Sequence, residues 1–416
     1  MNIIEKWTQS SLILKIIIGL IIGTILGIIV PKWEFIGFIG DIFVNALKAI
    51  APILVFVLVV SAISQSRTGN ESKFKMIFAL FILTNFLAAI ISIIAGHFYP
   101  VSIQLTSASN VAAPGGIGDV IGQTVMQIFE NPVNALAEGH YLGILFWSIT
   151  FGFALKVVAG DTTKDVINDI SEAFTKLVEY IIQFAPIGVM GLVFTSVSQN
   201  GLGIFTQYGQ AILLIVVCIA LVGFVINPLI GSIILRKNTY PLAFLCYKES
   251  GITAFFSRSS AANIPINMRL CERLGLDRNF FSITIPLGST INTNGAAVTI
   301  AIMTVITCNT LGIAISLPMA IILALVTTVA ACCASGVIGG SLLLIPLTCS
   351  LFGISPDISM QVVAVGFIIS VIQDSCETAI NSACDVFFTA VTEYYYRAKN
   401  SEPLNYMGEF AKSDKD

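Results

Sequence analysis

Apolar runs of similar length recur along the first 248 residues, at 12–30, 41–64, 76–98, 141–158, 177–198 and 208–235, with short polar stretches between them. Roughly 20 mostly apolar residues cross a bilayer as a helix, so each run predicts one spanning helix. Pro186 is expected to kink the fifth. Residues 249–390 are equally apolar, but four segments there are broken at their middles by small or polar side chains. The breaks read Ser257-Arg258-Ser259-Ser260-Ala261-Ala262, Asn292-Thr293-Asn294-Gly295, Ala334-Ser335-Gly336-Val337-Ile338-Gly339-Gly340-Ser341, and Asp374-Ser375-Cys376-Glu377-Thr378 running on to Asn381 and Asp385. Irregular backbone at membrane depth survives only where protein buries it or a wet cavity solvates it. A carboxylate there costs roughly 2.5–3.5 kcal/mol on insertion scales. Interrupted segments of this kind predict the binding site of a transporter.

The basic residues set the orientation. Lys32 and Lys48 apart, Lys and Arg of the first 248 residues fall near the N-terminus and in the 67–75, 156–176 and 236–248 loops, whereas 100–138 and 200–207 contain none. The positive-inside bias places the basic loops and both termini in the cytoplasm. Lys248 and Arg269 both read as cytoplasmic with only about 20 residues between them, too few for two crossings. A re-entrant hairpin with its tip at 257–262 fits. Residues 283–306 are long enough to cross, and 317–352 form two short arms around the Ser/Gly tip. These arms predict a second hairpin from the opposite side, with two full crossings as the alternative. Residues 359–391 return the chain to a cytoplasmic tail. Hairpin, broken span, hairpin, broken span reads as an inverted repeat whose breaks converge near the midplane.

Composition agrees. Of 416 residues 56% are hydrophobic and 11% charged, against about 25% charged in soluble domains. The chain is an all-α membrane protein by this measure, and no basic face points to nucleic acid. The nine cysteines form no CxxC pair and read as small apolar residues. His97 and His140 lie at segment ends, so neither a resident metal, a cofactor nor a catalytic dyad is expected. Ser259 and Ser260 have no base at suitable spacing, which argues against an enzyme. The N-terminal segment, with Glu5 and Lys6, is expected to be retained. A channel is the alternative from another class, because hairpins also build pores.

The motifs carry a resemblance. Arg258-Ser259-Ser260, Thr290-Ile291-Asn292-Thr293-Asn294-Gly295, the Gly-rich second tip, and Asp374, Asn381 and Asp385 stand in the order of the dicarboxylate/amino acid:cation symporter family, which includes the glutamate transporters. The match is close over 249–391 and holds by layout over the first six spans; the chain is most similar to the family's bacterial carriers of serine and threonine. The resemblance implies eight transmembrane segments plus two re-entrant hairpins, a homotrimer and an elevator-type motion. It divides the chain into 1–248, with scaffold and peripheral helices, a core transport region at 249–397, and a cytoplasmic tail at 398–416. It implies sodium-coupled uptake of L-serine and L-threonine across the bacterial inner membrane, a proton-coupled or dicarboxylate carrier being the alternative.

Asp385 follows Asn381 by four residues, which puts both on one helix face. Sodium is a hard cation suited to a carboxylate with amide and backbone oxygens, and a helix break frees such carbonyls. The family's sodium site falls here on Asp385, Asn381, Asn292 and Gly288, and a second on backbone at Thr290, Ala331, Cys332 and Ala334. For the substrate, the resemblance implies Asp374 for the ammonium; Ser260, backbone near Val337 and Asn381 for the carboxylate; and Thr378 as lining, with Arg258 and Ser259 completing the first tip. Three positions depart from the acidic-substrate pattern. Glu377 stands where glutamate and aspartate carriers have an arginine, so an acidic side chain is repelled, and Arg258 is expected to neutralise Glu377. Asn294 replaces an aspartate, predicting fewer coupled sodium ions. Ala296 replaces a threonine of the acidic pocket.

Overall fold

The computed structural model describes residues 12–65, 72–105, 129–334, 339–402 and 406–411, and these are helical throughout, without a strand among them. Seven helices cover the first half: α1 (Leu12–Ile29), α2 (Glu34–Gln65), α3 (Ser72–Phe98), α4 (Pro132–Glu138), α5 (Tyr141–Val158), α6 (Asp161–Gln183) and α7 (Ala185–Asn200). Next come α8 (Ile204–Leu221) and α9 (Asn227–Leu235), joined through a wide π turn at Val222–Ile226. A second π turn, Tyr247–Gly251, links α10 (Tyr240–Cys246) to α11 (Ile252–Ser257). The remainder is α12 (Ser260–Arg273), α13 (Arg278–Ile291), α14 (Asn294–Thr310), α15 (Leu317–Cys332), α16 (Ile345–Ser350) and α17 (Pro356–Lys399).

Five of the first six apolar runs become helices close to their expected bounds; the fifth does not. Residues 177–183 end the amphipathic α6, whose other face carries Asp, Glu and Lys. The chain turns at Phe184, and Pro186 opens α7 rather than kinking a longer helix. Proline suits a first turn because its missing N–H has no intrahelical partner there. The fourth expected break is also absent. α17 runs unbroken for 44 residues through Asp374 and Asp385. No Gly or Pro lies between 370 and 390, and the Thr378 hydroxyl folds back onto the Asp374 carbonyl at 2.8 Å, so nothing there opens the ladder.

The helices sort into two groups. α1, α2, α5, α6 and α7 pack on one another, while α3 and α8–α16 gather around α17. Burial is greatest at the centre of the second group. Over their most apolar stretches the α13–α14 run and α17 are 94% and 83% enclosed, against 39–50% for the other membrane-length runs. The Asn292–Gly295 break therefore lies where protein covers it, as membrane physics requires. In the outer group α2 and α7 touch backbone to backbone: a side chain at Gly191 meets the Ile36 carbonyl at 2.7 Å, and one at Gly40 meets the Leu192 amide at 2.6 Å. Small residues at such crossings let apolar helices associate without a hydrophobic driving force.

Gly191→Val forces that crossing apart. We expect overpacking to cost about 1–3 kcal/mol, read as a lower melting temperature of the purified protein in detergent. A melting temperature equal to wild type contradicts the crossing.

Candidate substrate and cation site

The first tip is built by capping. Arg258 ends α11 in a left-handed turn (φ 52°), and the Ser259 hydroxyl accepts from the Ala262 amide at 3.2 Å to start α12. The turn carries the Arg258 side chain inward, where it is almost fully buried. Its Nε donates to Asp374 Oδ2 at 2.8 Å and Nη2 to the Ser370 carbonyl at 3.3 Å; Nη1 has no partner among the described residues. The arginine thus lies on Asp374 and not, as expected, on Glu377. Among the described residues Asp374 Oδ1 receives only the Gly339 amide, at 3.4 Å, so α17 ties the first tip to the edge of the second. Ser260 and Thr378, each close to this pair in sequence, are buried. Val337 lies outside the described residues.

The second feature is the gap between α13 and α14. The ladder stops at Asn292 and Thr293, whose backbone is not helical. The Gly295 amide, freed at the start of α14, is met by Asn381 Oδ1 at 2.8 Å. The Ile291 carbonyl, freed at the end of α13, accepts from Asn85 Nδ2 of α3 at 2.8 Å. The Thr293 hydroxyl donates to the Ala331 carbonyl at 2.6 Å, and Cys332 Sγ lies 3.6 Å from the Ile291 carbonyl. Ala331 and Cys332 therefore do reach the break, and Ala334 follows in a turn closed on the Ala331 carbonyl at 2.9 Å. Thr290 is exposed, its hydroxyl bound to the Leu287 carbonyl.

Asp385 faces this gap and is wholly buried. Asn292 Nδ2 donates to its Oδ1 at 3.0 Å, and a side chain at Gly288 would meet that oxygen at 2.6 Å. Asp385 Oδ2, Asn292 Oδ1, Asn85 Oδ1 and both polar atoms of Asn294 are buried without a partner among the described residues. Oxygens left unpaired around a buried carboxylate are costly unless something occupies them. Their chemistry suits a hard monovalent cation.

Sequence reasoning missed three groups. Thr299, Gln373 and Ser341 all donate to Glu377 Oε2, the two hydroxyls at 2.8 and 2.9 Å. Gln373 was visible only as a polar residue one turn before Glu377. Asn85 stood in an apolar span without a pattern around it. Asn263 and Asn267, one turn apart on α12, join Ser250 and Ser382 in a buried network that seats α12 on α17. A separate cavity of about 610 Å³ lies between α2, α7, α8 and the start of α17, beside the Lys48–Asp357 ion pair, and none of the expected site residues lines it.

A helix broken inside a protein-enclosed core, with a buried carboxylate at the gap, is the architecture of a multi-pass helical membrane transporter. The chain belongs to the Sodium:dicarboxylate symporter family, whose model matches residues 12–394. It is 52% identical over 392 residues to a protein of Streptococcus agalactiae named serine/threonine transporter SstT, covering 94% of this chain and 97% of that one. It is 50% identical to proteins of the same name from Streptococcus thermophilus, at the same coverage, and from Bifidobacterium adolescentis, over 97% of this chain and 94% of that one.

Removing one partner of a buried ion pair costs about 3–5 kcal/mol because the other charge stays buried alone. Arg258→Met should therefore lower the melting temperature of the purified protein more than the double variant Arg258→Met/Asp374→Asn does. Equal losses mean that the pair is not coupled.

Proposed function

We propose that this chain couples sodium entry to the uptake of serine and threonine. The observation that carries the reading is Asp385 at the helix gap, a buried carboxylate with one oxygen unpartnered and the Asn292 carbonyl oxygen unpartnered beside it. Asp385, Asn292, Asn381 and the Gly288 backbone would hold one sodium ion. The Thr290, Ala331, Cys332 and Ala334 backbone would hold a second. Asn294 brings no charge to the gap, which favours fewer coupled ions than an aspartate there.

The substrate is a small zwitterion. Asp374 Oδ1 would accept from its ammonium, and Arg258 Nη1, without a partner among the described residues, offers a cationic pole to its carboxylate, with Ser259, Ser260, backbone at Val337, Thr378 and Asn381 completing the pocket. Glu377 meets only neutral donors, so an acidic side chain beside it would face an unshielded like charge. The names of the relatives point to the same substrates. The energetics suffice: one charge crossing 100 mV releases about 2.3 kcal/mol, roughly a 50-fold gradient.

The outer helices form a frame and the group around α17 the moving part, in a homotrimer with eight crossings, two hairpins and both termini in the cytoplasm of a bacterial cell. What supports the frame and the moving group is the sorting of the helices, and what supports the orientation is the concentration of basic residues in alternate loops; the trimer, the crossings and the hairpins rest on the family.

Labelled serine in proteoliposomes under an inward sodium, potassium or proton gradient tests the reading. Sodium should drive uptake, threonine should block it and aspartate should not; proton-driven uptake or block by aspartate refutes it. Asp385→Asn should raise the sodium concentration for half-maximal uptake at least about tenfold, since a hydrogen bond or contact to a charged group is worth about 1.5–3 kcal/mol. An unchanged sodium dependence removes Asp385 from the site. Glu377→Arg should let aspartate bind, and folded variant protein that still ignores aspartate refutes the charge argument.

A further inference from the structure

We propose that Glu377 reads the hydroxyl of the transported amino acid, and that Thr299, Gln373 and Ser341 are the positioning residues that aim it. The inference rests on the reading of the chain as a serine and threonine carrier. Donors from three elements converge on a single oxygen, Oε2: the Thr299 hydroxyl of α14 at 2.8 Å, the Ser341 hydroxyl beyond the second tip at 2.9 Å, and the Gln373 amide one turn earlier on α17. Gln373 Nε2 also donates to Thr299 Oγ1 at 2.9 Å. With its lone pair so occupied, Thr299 turns its one hydrogen to Glu377. The order runs one way, from amide to hydroxyl to carboxylate. All three donors are buried.

This arrangement does two things. It fixes the rotation of the carboxylate, and it leaves the two oxygens unequal. Oε2 accepts three hydrogens, while Oε1 has no hydrogen-bond partner among the described residues. A carboxyl oxygen that receives no donor keeps its lone pairs free, so a hydrogen-bond donor fits Oε1. Serine and threonine differ from alanine and 2-aminobutyrate by one such donor, the β-hydroxyl. A buried site built to bond a hydroxyl rejects the analogue that lacks it, because its own polar atom is then left unpaired. The ammonium has a counter-charge elsewhere, at Asp374 Oδ1 almost one turn earlier on α17, which frees Glu377 for the side chain.

The test is the ratio of KM for alanine to KM for serine in sodium-driven proteoliposome uptake. General damage to the site raises both constants and leaves the ratio; loss of the hydroxyl contact lowers the ratio. In wild-type protein the ratio should exceed roughly ten, the worth of one hydrogen bond to a charged group. Glu377→Met should bring it near one. Thr299→Val and Ser341→Ala should each lower it several-fold, and Thr299→Ser should restore it; these small changes keep the test open if Glu377→Met does not fold. A wild-type ratio near one, with serine still transported, overturns the inference alone. Equal rises in both constants with an unchanged ratio also overturn it, and assign Glu377 to the ammonium. Wild-type protein that takes up neither amino acid overturns the carrier reading and this inference with it.

Discussion

A helix that stops and restarts inside a membrane leaves amides and carbonyls that no water can satisfy, and the rest of this molecule is arranged around that cost. The gap between α13 and α14 exposes the Gly295 amide and the Ile291 carbonyl, and each is met by an asparagine from a different helix: Asn381 of α17 and Asn85 of α3. Thr293, in the gap, ties the Ala331 carbonyl of α15. Three elements distant in sequence are thereby fixed to one discontinuity. α17 can do this because it is itself unbroken. A second gap beside the first would leave no rigid rod from which Asp374, Glu377, Asn381 and Asp385 could project at helical spacing.

Asp374, Glu377 and Asp385, three of the carboxylates on that rod, are compensated in three ways, and the differences give each its chemistry. Asp374 has a guanidinium, so its charge is balanced within the protein. Glu377 has neutral donors, which hold its geometry while leaving its charge in place. Asp385 has a single amide and an unpartnered oxygen, so it alone lacks compensation that the described residues could supply. Desolvating a charge without a partner costs several kcal/mol. A cation entering at Asp385 offsets that cost, which at Asp374 the arginine already offsets.

Two of the discontinuities were legible in the sequence because clusters of Gly, Asn and Ser are out of place in an uninterrupted membrane helix. The Asn292–Gly295 gap and the Arg258 tip fall where those clusters stand. The same logic failed at Asp374–Thr378. Polarity there marks a face of an intact helix, and only the lack of Gly and Pro separated the two cases. The fifth span was misplaced because the apolar face of α6 runs into α7 without a polar gap, although Lys176 and Glu179 already marked an amphipathic helix. The direction of a long side chain was not legible at all. Arg258 could reach either acid from sequence alone, and its left-handed backbone turns it to Asp374. Thr299 and Asn85 gave no signal because single hydroxyls and amides in membrane helices commonly bond their own backbone, and Ser341 stood in the second-tip cluster without pointing to Glu377.

In the proposed mechanism, the coupling of ion to substrate follows from the position of Asn381. It lies one turn from Glu377 and Thr378 on one side and from Asp385 on the other, and its carbonyl oxygen holds the first amide of α14. A sodium ion drawing on Asn292 and Asp385 would fix the end of α13, and the bond from Gly295 to Asn381 would carry that ordering into the pocket. Linkage makes the effect reciprocal: whatever sodium contributes to substrate affinity, substrate must return to sodium affinity. A shared asparagine is a suitable element for this, because it bears no charge that either ligand must first neutralise. An aspartate at 381 would attract sodium more strongly but would repel the substrate carboxylate one turn away, and coupling would be lost to competition between the two sites.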